Sequence, residues 1–412
     1  MAHKKLKTEK NGTTDKGKDS EQPQMDAKDS LDRFSDDLCQ HLLSYLSLED
    51  RFRCECVSKQ WQRVIYETID EIIINDNLLD KMKTKNCANI ETIDCRYVRS
   101  KLQRQVFEAI DELLDNCLNV RQIDCDLIYG LDSVFDETGN QCLAKNLQKY
   151  EFGFGGRLFA DHFTDHMFTT FVANNKSLKS LNIKCINGEI EETVIGFMNR
   201  LSQLQELREL KLEFTYECDN IEYSISEPLA QIGLKCAKLK RFCLTMVSQT
   251  PEPNVGVLNA IQLMPQITRL ELNLGLPSDD PPLTDWQSFD SLKRWPKLTH
   301  LSLNLWQINY KLFQEIAANE PNLRSLDMEI DSWSYGQINA FCLDRMASLR
   351  KLQSLAIRWD SDANLNLNES DIKAFVLKSS PKLKSFRLIA GKCMKYTDKR
   401  IHEMRNMLPL NH

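Results

Sequence analysis

Residues 295–303 read WPKLTHLSL, and residues 320–328 read EPNLRSLDM. Both carry one phrase, L-x-x-L-x-L, opened by a proline. The phrase recurs along most of the chain, preceded elsewhere by Pro or Cys. Clear copies start at Ile90 (IETIDC), Val120 (VRQIDC), Leu178 (LKSLNI), Leu207 (LRELKL) and Leu239 (LKRFCL). Others start at Ile267 (ITRLEL), Leu298 (LTHLSL), Leu323 (LRSLDM), Leu352 (LQSLAI) and Leu383 (LKSFRL), with weaker ones at Ile69 (IDEIII) and Leu147 (LQKYEF). Their spacing averages roughly 29 residues. In each copy the last three positions alternate inward and outward, the period of a short half-buried strand.

Between the copies lie amphipathic helical stretches: KLQRQVFEAIDELLDNC from Lys101, ETVIGFMNRLSQL from Glu192, QINAFCLDRMASL from Gln337 and ESDIKAFVLKSS from Glu369. Strand, loop, helix and loop make one coil of a solenoid, and stacking of coils supplies the core that no single coil can form. The expected fold class is therefore α/β. A polar tail over residues 1–30 and a short helical domain over 31–66 precede about 11–12 divergent coils over 67–412. The most irregular stretches run from Leu131 to Phe171 and through LGLPSDDPPLTDW from Leu274.

The totals narrow the function. Hydrophobic residues make up 42% of the chain and charged residues 27%, proportions usual for a folded protein. A net charge of −6 argues against a nucleic-acid binder, which would carry a basic face. No apolar run has the form of a secretory leader or a membrane span, so no membrane association is expected. The 14 cysteines are scattered within apolar patterns, Cys95, Cys125, Cys185 and Cys243 among them. They are expected as small buried hydrophobes in a reducing compartment, cytoplasm or nucleus. The close pair Cys54 and Cys56 points in two directions on a helix and reads as packing. The tail, with Lys4, Lys5 and Lys7, holds almost nothing to bury and is expected to be solvated.

One stretch before the repeats stands apart: FSDDLCQHLLSYLSLEDRFRCECVSKQW, residues 34–61. Leu38, Leu42, Leu43, Tyr45 and Leu46 recur at helical spacing. Ser35 can cap that helix, and Asp36 and Asp37 suit its first turn. Ser47 followed by Asp50 opens a second helix, which would carry Phe52, Cys56, Val57 and Trp61. Two short helices hold more apolar surface than so few residues can bury alone, and a partner is expected.

The stretch resembles an F-box, the segment through which substrate receptors dock on the adaptor of cullin-based ubiquitin ligases. The family pattern L-P-x-E-x-x-x-x-I-x-x-Y-L falls on Phe34, Ser35, Asp37, Leu42, Tyr45 and Leu46. Its second half falls on Leu48, Val57, Ser58, Lys59 and Trp61. Ser35 stands where the family has proline. The repeats resemble the leucine-rich-repeat family in the form found in F-box proteins. That resemblance implies a horseshoe with a concave parallel sheet and convex helices. The family's asparagine after the strand is absent: Trp306, Asp331 and Gly391 occupy its place. Together the resemblances imply a non-catalytic receptor subunit of an SCF-type ligase, with no cofactor. Adaptor contacts would fall on Phe34, Ser35, Leu38, Leu42, Leu43, Tyr45, Leu46, Leu48, Val57 and Trp61, with cullin and RING subunits reached indirectly. A repeat scaffold that recruits no ligase remains the alternative.

No catalytic constellation is expected. Asp161-His162-Phe163-Thr164-Asp165-His166 sets two histidines four apart, but without H-E-x-x-H or a third ligand it reads as a helix start rather than a metal site. Gly153-Phe154-Gly155-Gly156 lacks the lysine and hydroxyl of a phosphate loop and reads as a turn after a strand at Tyr150–Phe152. The outward strand positions are more informative. Arg208, Lys211, Arg241, Arg269, His300, Arg324, Arg358 and Arg387 would line the concave face as a mixed-charge ribbon for a protein substrate. Tyr216, Trp306, Trp333 and Trp359 stand just beyond the strands, the residue types of binding hot spots.

Overall fold

The computed structural model describes residues 34–75, 89–97, 117, 119–124, 147–155, 165–186, 192–214, 221–247, 253–275, 295–305, 310–330, 339–359, 367–379, 382–390 and 393–396. The chain divides into two compact units, one up to Thr68 and one from Ile69 onward.

The first unit begins with helix α1 (Asp36–Ser44), capped by Ser35, whose hydroxyl accepts the Leu38 N–H at 3.4 Å. Helix α2 (Leu48–Arg53) follows, capped by Ser47. The Ser47 hydroxyl accepts from Asp50 N–H at 3.2 Å and donates to the Asp50 carboxylate at 2.7 Å. The expected second helix does not run through to Trp61. It tightens into a 3₁₀ turn over Cys54–Cys56, and a third helix, α3, runs over Lys59–Thr68. The restart has a local cause: the Ser58 hydroxyl accepts the Trp61 N–H at 3.2 Å, as an N-cap does. Cys39, Leu43, Phe52, Trp61, Val64 and Ile65 are buried and form this unit's own core. Polar ties hold α3 to the start of α1. Gln60 donates to the Phe34 carbonyl at 2.7 Å and to Asp36 at 2.8 Å, and Arg63 reaches both Asp36 carboxylate oxygens at 2.8 and 2.9 Å.

The second unit is built on one sheet of thirteen strands in chain order. They are β1 (Glu71–Asn75), β2 (Thr92–Tyr97), β3 (Gln122–Asp124), β4 (Lys149–Gly155), β5 (Ser180–Ile186), β6 (Glu209–Phe214) and β7 (Arg241–Val247). Then come β8 (Arg269–Gly275), β9 (His300–Leu305), β10 (Ser325–Ile330), β11 (Ser354–Trp359), β12 (Ser385–Ala390) and β13 (Cys393–Tyr396). Neighbours from β1 to β12 pair in parallel, one strand per copy of the repeated phrase, which is a leucine-rich-repeat sheet. Strand β13, which the repeat does not announce, pairs antiparallel with β12. Helices fill the intervals: α4 (Asp165–Asn174), α5 (Glu192–Leu201), α6 (Ile221–Lys235), α7 (Pro253–Ile261), α8 (Tyr310–Asn319), α9 (Ala340–Ala347) and α10 (Glu369–Lys378). Among the described residues, no helix is long and apolar enough to cross a membrane. The glycines are a correction: Gly153 and Gly155 do not turn the chain but continue β4, in register with Lys184 and Ile186 of β5.

Register converts the phrase into a core. Leu210, Phe242, Leu270, Leu301, Leu326, Leu355 and Phe386 form one inward row across β6–β12. Leu212, Leu244, Leu272, Leu303, Met328, Ile357 and Leu388 form the next, and all are buried. A further inward row lies three residues before each opening leucine: Cys117, Asn175, Leu204, Cys236, Met264, Trp295, Glu320 and Leu349. In that row Asn175 is satisfied by the backbone, accepting from Leu147 N–H at 3.1 Å and donating to the Phe171 carbonyl at 2.8 Å. Glu320 is not. It is fully buried, both carboxyl oxygens lack a hydrogen-bond partner among the described residues, and burial pushes its pKa up to about 8.

A backbone latch joins the coils. The two N–H groups after each opening leucine donate to one carbonyl of the preceding coil. Arg208 and Glu209 donate to Lys179 O at 2.7 and 2.9 Å; Lys240 and Arg241 donate to Arg208 O at 2.8 and 3.0 Å. The pattern repeats from Asp70 O to Gln353 O.

Candidate functional site

Two surfaces result. On α1, Cys39 and Leu43 face the unit's core while Leu38, Leu42 and Tyr45 face outward, 41%, 40% and 75% exposed. Their spacing of four and three puts them on one helical face. Val57, after the 3₁₀ turn, is 43% exposed. Phe34, Leu46 and Leu48 are half-buried and Ser35 is exposed. Tyr45 packs edge-on against His41 with ring centroids 5.1 Å apart, and its hydroxyl lies 3.3 Å from His41 Nε2. The expected contact set needs correction at two positions. Leu43 and Trp61 are buried in the unit's own core and present almost no surface. They support the outward row instead of belonging to it. Around this face, Asp36 is held below the usual carboxylate range by its hydrogen bonds to Gln60 and Arg63, and Asp50 by Ser47 and Arg53.

The second surface is the sheet face opposite the helices. Five of the expected substrate residues gather at its leading edge: Arg208, Arg241, Arg269, His300 and Arg324, all exposed. Arg241, Arg269 and His300 are direct register partners on β7, β8 and β9. Lys240, exposed between Arg208 and Arg241, joins them. The other expected residues lie farther along the strands. Lys211 pairs with Glu213 at 3.3 Å, and Arg358 bonds Asp327 at 2.6 Å and approaches Glu329 at 3.6 Å. Arg387, on β12, is exposed. Tyr216, Trp306 and Trp333 lie outside the described residues, as do Asp331 and Gly391. Trp359 closes β11, with its side chain outside the description.

The sequence reading did not anticipate one polar group on this face. Asp94 of β2 is almost wholly buried and accepts from Arg96 at 2.9 and 2.7 Å from the guanidinium and 3.0 Å from the backbone. Its carboxyl is held down by that guanidinium. Gln122 bonds Asp124 at 2.7 Å, and Lys184 pairs with Glu151 at 3.0 Å. The available signal was polar residues two apart in a strand, D-x-R and Q-x-D, which share one face.

For metal or thiol chemistry the arrangement offers little. Among the described residues no group of three His, Cys, Asp or Glu side chains could hold a metal ion. Asp161 and His162 lie outside the described residues, and α4 begins at Asp165. Cys39, Cys95, Cys117, Cys236 and Cys342 are buried; burial pushes the Cys236 thiol up to about 11. Burial, with Glu271 nearby, pushes Cys243 up to about 12, so neither thiol is a ready nucleophile.

Residues 36–69 match the F-box-like family. No curated protein matches the chain in sequence. Among solved structures, the chain is similar to an internalin from Listeria monocytogenes at 14% identity and a TM-score of 0.41, covering 80% of this chain and 82% of that one. It is also similar to a structure of the yeast Rad7 and Elc1 complex at 12% identity and a TM-score of 0.49, covering 88% and 91%. The chain thus joins an F-box-like domain to a leucine-rich-repeat sheet.

Proposed function

We propose that this chain is the substrate-recognition subunit of an SCF-type ubiquitin ligase. It docks through residues 34–61 on the ligase adaptor and holds a protein substrate on the open face of its sheet. The observation that carries the reading is the outward row of α1. The first unit closes its own core around Leu43, Phe52, Trp61 and Ile65, yet still exposes Leu38, Leu42 and Tyr45 on one helical face. A contiguous apolar row of this kind on a small domain marks a protein interface. Covering each of those side chains is worth roughly 1.5–3 kcal/mol, enough together for a micromolar-or-better contact after the cost of association. Ser35 replaces the family's proline but keeps the helix start, because its hydroxyl makes the cap.

The receptor performs no bond chemistry in this reading. It raises the effective concentration of a substrate beside the ubiquitin-charged enzyme, which cullin and RING subunits hold. The test is co-purification of purified adaptor with wild type and with a Leu42→Ala/Tyr45→Ala double variant. Wild type is expected to retain adaptor, and the variant to bind it about 100-fold more weakly with its melting transition unmoved. Equal recovery of adaptor by both overturns the proposal.

A further inference from the structure

The leading edge of β6–β10 carries more positive charge than the fold requires. Arg208, Lys240, Arg241, Arg269, His300 and Arg324 follow one another across five neighbouring strands in a chain whose net charge is −6. Arg241 lies directly opposite Arg269, and Arg269 opposite His300. Like charges so placed destabilise a sheet. Nothing in the packing demands Arg241, Arg269 or His300, since the matching register positions on β5, β6, β10, β11 and β12 are Ser180, Glu209, Ser325, Ser354 and Ser385. The coil-to-coil latch along this edge is made by backbone N–H groups, with the Thr268 and Thr299 hydroxyls adding a bond each to the same carbonyls at 3.1 and 2.9 Å, and it uses none of these cationic side chains.

Internal neutralisation is partial. Arg269 bonds Glu271 at 2.5 Å, and Arg241 approaches Glu209 only to 3.9 Å. Among the described residues, Arg208, Lys240 and Arg324 make no ion pair. Partial burial, and then the neighbouring cations Arg269, Arg324 and Arg241, lower the His300 pKa. Behind the edge the charges are paired: Glu213 with Lys211, Glu271 with Arg269, and Asp327 and Glu329 with Arg358.

From this pattern we infer that the edge binds an extended, Glu/Asp-rich segment of the substrate protein. The inference rests on the reading that the open face holds a substrate. The shape of the charge selects the occupant. Four strand spacings of roughly 4.8 Å make a line of about 19 Å, the length of about six extended residues. A line of separated cations matches a run of carboxylates better than a single phosphoryl group, which needs several donors converging on one point. Behind the edge the charges are internally paired, so the surplus cations form a narrow line and not the broad basic face a nucleic acid needs.

The test uses the full chain and a fluorescein-labelled octaglutamate peptide, read by fluorescence anisotropy. The comparison variant is Arg241→Ser/Arg269→Ser/Arg324→Gln, built from residues that the neighbouring coils already carry. Wild type is expected to bind octaglutamate, to weaken as salt rises, and to ignore octaglutamine. The variant is expected to bind at least about tenfold more weakly with an unchanged or higher melting temperature. No octaglutamate binding by wild type at low salt overturns the inference. So does equal binding by the variant, or tighter binding of a singly phosphorylated peptide or an oligothymidylate. Adaptor recovery is measured on the same preparations. A chain that recovers adaptor but ignores octaglutamate sinks this inference alone. One that binds octaglutamate but recovers no adaptor sinks the ligase reading alone.

Discussion

Helix α1 and the leading edge of β6–β10 each present an outward row, and the two rows are chemically opposite. On α1 the outward residues Leu38, Leu42 and Tyr45 are as apolar as the inward Cys39 and Leu43. On the sheet the inward rows are leucine-rich and the outward edge is arginine-rich. A helix that exposes an apolar row besides the one it buries is unfinished until another protein covers that row. A sheet edge with surplus charge is complete as a fold and selects what approaches it through long-range attraction. The first surface suits one constant partner; the second suits discrimination among changing ones.

The contrast can be broken most forcefully at adjacent positions of α1. Leu43→Ala empties the core of the first unit and is expected to cost about 2–5 kcal/mol, read as an earlier denaturant transition of that unit. Leu42→Ala, one residue away, is expected to move stability by no more than about 0.5 kcal/mol while weakening adaptor binding. If both destabilise alike, the outward row is core and the interface reading of α1 fails.

The inward rows of the repeats have one dissonant member, Glu320. Burial pushes its carboxyl from an ordinary 4.5 up to about 8 in the folded chain. The folded chain therefore keeps a proton that the unfolded chain releases between those values. Stability is fullest below the lower value and declines as pH rises toward the upper one. Glu320→Met, which matches the apolar character of Met264 and Leu349 in that row, is expected to stabilise by about 2–4 kcal/mol at pH 7.5. The advantage should shrink toward pH 4.5, as thermal melts across that range would show. A gain that does not vary with pH would mean that the carboxyl is not protonated in the fold.

A smaller effect is expected at the break between α2 and α3. Ser58→Ala removes the cap that restarts the chain as α3 and should cost about 1 kcal/mol, measured by urea unfolding. The smallest concerns stability at the charged edge. Arg269→Ser is expected to leave the midpoint within about 0.5 kcal/mol, because the pair with Glu271 is half-exposed and the neighbouring cations repel.

Much of this architecture was legible because each L-x-x-L-x-L copy declares three inward positions, and all twelve copies became strands, including the weak ones at Ile69 and Leu147. Less visible was where a helix stops. The apolar spacing of Phe52, Cys56 and Trp61 runs on through the break, and only the hydroxyl of Ser58 marks the restart. Consecutive leucines hide their directions too: Leu42 and Leu43 look alike in sequence, and only the fold decides which is buried. Glycine suggested a turn at Gly153, where pairing with β5 over seven residues outweighed its weak strand preference. On the sheet, outward positions could be enumerated from the alternation. Which of them carry surplus charge emerged only when register set Arg241, Arg269 and His300 side by side.

The shared-carbonyl latch has an evolutionary consequence. Among the described residues each coil is fastened to the last by main-chain atoms, with added side-chain bonds at Lys179, Thr268 and Thr299, so the identities of residues 208, 240, 324 and 353 are spectators to assembly. Mutational drift at those places meets little resistance from folding. A relative could rewrite them wholesale, keep every coil, and acquire a different clientele.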